Sequence, residues 1–85
     1  MVLALRPDVS MVTTEDAIVL LNERSGRYWQ LNQSGSSVLC CLLDGHTPAD
    51  VAQNLARSYG ISEVRAAADV DALLKALRTA ELVTP

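Results

Sequence analysis

Residues 26–45 read GRYWQLNQSGSSVLCCLLDG, and the way this stretch divides decides the fold. Arg27 to Leu31 alternates, with Trp29 and Leu31 on one side and Tyr28 and Gln30 on the other, a period of two that predicts a half-buried strand at an exposed sheet edge. Asn32 stops the strand. A short polar side chain before an apolar-periodic run accepts hydrogen bonds from the first free helical N–H groups, so Asn32 or Ser34 caps a helix carrying Val38, Leu39, Leu42 and Leu43. Gly45 ends that helix, because glycine turns left-handed without a Cβ clash. An edge strand therefore runs directly into the most apolar helix of the chain.

Working outward towards the N-terminus, Ser25-Gly26 supplies a positive φ that folds Ala17–Asn22 back on Arg27–Leu31 as a hairpin. Ile18, Val19, Leu20 and Leu21 form a near-continuous apolar run, as expected when both faces of a strand are at least partly covered. Val9–Thr14 is β-branched and alternating, a first strand, with Glu15-Asp16 as a polar turn. Met1–Leu5 is apolar and Pro7 breaks it. Towards the C-terminus, Thr47-Pro48-Ala49-Asp50 starts a second helix: threonine caps, proline takes the first position where its missing N–H costs nothing, and Asp50 complements the dipole. Val51 and Leu55 form its apolar line, with Ala52, Ala56 and Tyr59 beside it, and Gly60 closes it. A third helix follows from Glu63 to Ala80 with Val70, Leu73, Leu74 and Leu77 at helical spacing, and Leu82 and Val83 pack back on the core. The order predicts an α+β fold, a three-stranded antiparallel sheet followed by three helices, in the architecture of a winged helix-turn-helix.

Eighty-five residues make one domain, 1–85, with a single modest core. Hydrophobic residues are 49% of the chain but aromatic residues only 4%, with no Phe, so the interior is aliphatic. The net charge of −3 and the scatter of the seven basic residues argue against a nucleic-acid partner, which clustered Lys and Arg would attract. No apolar run reaches the roughly 18–20 residues that span a bilayer, and Arg6-Pro7 interrupts any signal-peptide core, so a cytoplasmic protein with no membrane association is expected. Adjacent cysteines cannot reach ordinary disulfide geometry without distorting the peptide between them, and at least one of Cys40 and Cys41 is read as a small buried hydrophobe. A metal or thiol site using His46 lacks a CxxC pair, a second histidine and zinc spacing. With no base and orienter for a nucleophile and no phosphate-cradling loop, no catalytic residue, metal or cofactor is expected.

Leu31-Asn32 after an alternating strand, Leu42-Leu43-Asp44-Gly45 closing the next helix, Thr47 to Tyr59-Gly60 as the second helix, and Ala68-Asp69-Val70 with Leu74 and Leu77 in the third together resemble the PqqD-like family. These are the recognition elements that bind leader peptides of ribosomally made, post-translationally modified peptides. The resemblance covers Ala17 to Val83 and is nearest to the small stand-alone subunit of split lasso-peptide processing proteases. A departure is Glu81-Leu82, where many relatives carry Gly-Leu, which bears on the end of the third helix. The resemblance implies that the chain captures a precursor's leader as an added β-strand on the sheet edge beside the third helix. It also implies delivery of that peptide to a partner cysteine protease, with a cyclase as a further partner, for lasso-type maturation.

The residues permit this independently. An edge at Arg27, Tyr28, Trp29, Gln30 and Leu31 leaves unpaired N–H and C=O groups that an extended peptide satisfies. About five such bonds, at about 0.5–1.5 kcal/mol each, do not give selective affinity alone. Leu20, Trp29 and Leu31 are expected to meet Ala66, Val70, Leu73 and Leu77 in an apolar groove that takes a leader Tyr, Leu or Pro. Asp69 would pair with a leader Lys, Arg or Tyr hydroxyl, and Tyr28 presents an amphipathic ring of the kind that interfaces enrich. The plainer reading makes Trp29, Leu31, Leu74 and Leu77 core and Glu63, Arg65, Asp69, Asp71, Lys75 and Arg78 a solvated face. The open edge also invites pairing with a second copy through Arg27–Leu31. Two other functions compete: a DNA-binding winged helix, against which Glu63, Asp69 and Asp71 stand where phosphates would approach, and a structural protein-interaction module.

Overall fold

The structure, a computed structural model, describes residues 3–15 and 17–84. Strands β1 (Ala4–Leu5), β2 (Val9–Thr13), β3 (Ile18–Asn22) and β4 (Tyr28–Leu31) precede helices α1 (Gln33–Leu43), α2 (Pro48–Tyr59) and α3 (Glu63–Thr79), and β5 (Val83–Thr84) follows. The expected meander is present: β2, β3 and β4 form one antiparallel sheet in that order. Its register places Met11, Leu20 and Trp29 in one cross-strand row and Thr13, Ile18 and Leu31 in the next on the inner face. Ser10, Leu21 and Tyr28, then Val12, Val19 and Gln30, make the corresponding rows of the outer face. Ile18, Leu20 and Leu31 are buried in one cluster with Leu39, Leu55, Val70 and Leu77, so the helices cover the inner face.

The β3–β4 hairpin is built around Asn22, whose importance the sequence did not signal. Its backbone N–H donates to the Arg27 carbonyl at 2.8 Å and its carbonyl accepts from the Gly26 N–H at 2.8 Å. The side-chain Oδ1 accepts from the N–H groups of Arg24 at 3.0 Å and Ser25 at 3.2 Å. Gly26 has the anticipated positive φ, 75°. Asp16, in the expected Glu15-Asp16 turn, lies outside the described residues, as do Met1, Val2 and Pro85. The Thr14 N–H closes that turn on the Ala17 carbonyl at 2.8 Å.

Of the two candidates for the first cap, Asn32 is the residue used, accepting from the Gly35 N–H at 2.8 Å. Thr47 caps α2 with Pro48 as its first residue, and Gly60 ends it at φ 65°. Ser62 caps α3, which stops at Thr79, one residue short of expectation, with Ala80 as its C-cap. The chain's ends differ from the expected plan: β1 and β5 pair as a separate two-stranded antiparallel sheet, Ala4 opposite Thr84 and Leu5 opposite Val83. Leu3, Leu82 and Val83 join the core.

Candidate functional site

β4 is the outer strand of the sheet, and its residues Tyr28, Trp29 and Gln30, with Arg27 before them, are exposed. In an antiparallel ladder, bonded and non-bonded pairs alternate. Starting from the bond between the Asn22 N–H and the Arg27 carbonyl, Leu20 and Trp29 are the next bonded pair. Tyr28 and Gln30 then turn their N–H and C=O groups away from the sheet, which gives four open backbone groups on alternate residues. The ladder ends on a side chain: the buried Ser36 hydroxyl accepts from the Ile18 N–H at 2.9 Å and donates to the Leu31 carbonyl at 3.3 Å.

Two hollows flank this edge. One, of about 550 Å³, lies between the β3–β4 turn and the end of α3, lined among others by Asn22, Arg27, Trp29, Ala80 and Leu82. The other, of about 420 Å³, lies beyond the strand's far end, lined among others by Asn32, Tyr59, Arg65, Asp69 and Leu73. Because the first hollow meets the C-terminal end of α3 and the second its N-terminal half, α3 runs alongside β4 in the opposite sense. Trp29 is 40% exposed although it belongs to the inner face, because no further strand lies beyond it.

Of the expected site residues, Arg27, Tyr28, Trp29, Gln30 and Asp69 are exposed, and Leu73 is half-buried in the second hollow. Leu20, Leu31, Ala66, Val70 and Leu77 are corrected to core: their exposures lie between 0% and 4%, so they back the site and offer it no surface. The inner face of β3 is the floor of the core, and α3 turns the same residues inward that a groove reading had claimed. Leu74 is core as well, and Trp29 is not. Asp69 makes no ion pair; among the described residues the ion pairs are Arg24 with Asp8 at 3.8 Å and Lys75 with Asp71 at 3.0 Å. Tyr59 and Arg65 were missed as lining. The available signal was spacing: Tyr59 stands one turn beyond Leu55 on the same face of α2, and Arg65 one turn before Asp69.

Cys40 is exposed and Cys41 half-buried against the core, both as free thiols. Among the described residues no group of three His, Cys, Asp or Glu side chains is placed to hold a metal ion. No helix among them is long and apolar enough to cross a membrane.

The family model described as coenzyme PQQ synthesis protein D (PqqD) matches residues 17–83, from the first residues of the β3–β4 hairpin to β5. The chain belongs to the PqqD family. Two solved structures share the fold of this PqqD-family chain over nearly its whole length. A lasso peptide synthetase B1 complexed with the leader peptide superposes with a TM-score of 0.92 at 42% identity, covering 98% of each chain. TbiB1, in complex with the TbiA(β) leader peptide, superposes with a TM-score of 0.85 at 25% identity, covering 93% of this chain and 92% of that one. The first likeness extends beyond the family match to include β2, the first strand of the sheet. None of the curated proteins gives a significant match.

Proposed function

We propose that this chain binds the leader segment of a ribosomally synthesised precursor peptide as a fourth strand on β4 and delivers it to a partner cysteine protease, and with it a cyclase, in cytoplasmic maturation of a lasso-type peptide. The observation that carries the reading is the set of open backbone groups on Tyr28 and Gln30 between two hollows. Four strand bonds at about 0.5–1.5 kcal/mol each give at most about 6 kcal/mol. A micromolar complex needs about 8 kcal/mol in addition to the cost of ordering the peptide, so side chains in the hollows supply the remainder. A leader Tyr, Leu or Pro fits against Trp29 or Leu73, while Asp69, without an ion-pair partner of its own, accepts from a Lys, an Arg or a Tyr hydroxyl. The chain contributes binding and local concentration and no chemistry of its own.

Titrating a synthetic leader while following Trp29 fluorescence should give saturable binding on the order of micromolar or tighter. Tyr28→Ala and Asp69→Ala should each weaken binding by about 1–2 kcal/mol with little change in melting temperature. Leu39→Ala, in the core, should instead lose about 2–5 kcal/mol of stability. In the same preparation the precursor should stay uncut until the protease is added. Absence of binding to any precursor leader encoded nearby would sink the reading, and full affinity in both edge variants would move the site away from β4.

A further inference from the structure

The outer face of the sheet is not absorbed by peptide capture. The helices occupy the other side, yet the outer rows carry Val12 at 55% exposure and Tyr28 at 72%, with Val19 and Leu21 half-buried between them. A strand with apolar residues on both faces ordinarily has both faces covered. Here one cover is missing among the described residues. The two rows, Ser10-Leu21-Tyr28 and Val12-Val19-Gln30, contain no charged residue, so the face offers nothing to a polyanion. The Glu23 carboxylate accepts from the Ser10 hydroxyl at 2.7 Å.

We propose that this outer face is the docking surface for the cysteine protease that cuts the bound leader, an inference that rests on the leader-binding reading above. The argument is continuity. Tyr28 and Gln30 belong to both surfaces: their side chains stand on the outer face, and their backbone groups turn to the edge where the leader is added. An added strand continues the pleat, so its alternate side chains form a further column on the same face. A protein seated there touches the chain and its bound peptide at once. The enzyme that cuts the leader is the partner that must tell the loaded chain from the empty one. With strands about 4.8 Å apart and about 3.3 Å of rise per residue, the empty face measures only roughly 10 by 17 Å, below a standard interface, so the leader's column is a large part of the docking surface. The protease therefore binds the loaded chain more tightly than the empty one.

The test separates the two surfaces. Val12→Lys and Val19→Thr alter the outer face away from the peptide edge, and Val19→Thr keeps a β-branched shape should the lysine disturb folding. Both variants should hold the synthetic leader within about twofold of the parent's affinity while binding of the purified protease falls by roughly tenfold or more. On the unaltered chain, covalent footprinting should show Val12 and Leu21 shielded when the protease is added, and shielded more strongly with leader present. Protease affinity that survives both substitutions, or unchanged labelling of Val12 and Leu21, overturns the docking surface. Failure of the parent chain to bind the leader overturns instead the reading beneath it.

Discussion

Ser36 holds the edge strand to its helix with one hydroxyl, accepting from Ile18 and donating to Leu31 at the point where the ladder ends. Ser36→Ala would leave the Ile18 N–H buried without a partner, and an orphaned donor costs about 1–3 kcal/mol. Urea denaturation should show a loss in that range with an unchanged slope, and a change within the roughly 0.5 kcal/mol of ordinary surface substitutions would overturn the role given to it. Such a role was invisible in the sequence because the partner lies 18 positions away, whereas the Asn32 cap next door was legible because its partner lies 3 away. Periodicity marked which residues share a face but not how deep that face sits. Leu20, Ala66, Val70 and Leu77 were therefore read as groove and are core, while the exposed Tyr28 and Asp69 were picked out by their chemistry.

Among the elements, α3 ends in a recognisable C-terminal motif. The Glu81 N–H donates to the Arg78 carbonyl and the Leu82 N–H to the Leu77 carbonyl, each at 3.0 Å, and the side chains of Leu82 and Leu77 are both buried in the core. This is the bond pattern whose left-handed position normally holds glycine. Here it holds Glu81, at φ 58°. A left-handed non-glycine residue costs about 1–2 kcal/mol, partly offset by the extra freedom that glycine has when unfolded. Glu81→Gly should therefore raise stability by about 0.5–1 kcal/mol, seen as a melting temperature higher by roughly 2–8 °C, with leader affinity unchanged. A lower melting temperature would contradict the strain assigned to Glu81. The helices and the three-stranded sheet were legible because each has a period or a cap within its own residues. β1 and β5 were not, since two residues cannot display a period and their pairing joins opposite ends of the chain.

For the whole molecule, the layer order was legible and the uncovered face was not: an apolar strand announces that it needs cover without saying whether its own chain provides it. The hollows likewise depend on how far α3 stands from β4, a distance set by the packing of α3 on α2 and by no local pattern. The pairing of Ala4 with Thr84, reinforced by the Arg6 N–H donating to the Leu82 carbonyl at 3.1 Å, has a further consequence. It closes the described residues nearly into a ring, since Ala4 and Thr84 sit side by side. Joining Thr84 to Leu3 through a short Gly/Ser linker and opening the chain in the Asp44–His46 loop gives a circular permutant. That permutant should keep the parent's far-ultraviolet circular dichroism and its leader affinity, with new ends emerging between α1 and α2, in a loop that lines neither hollow beside the β4 edge.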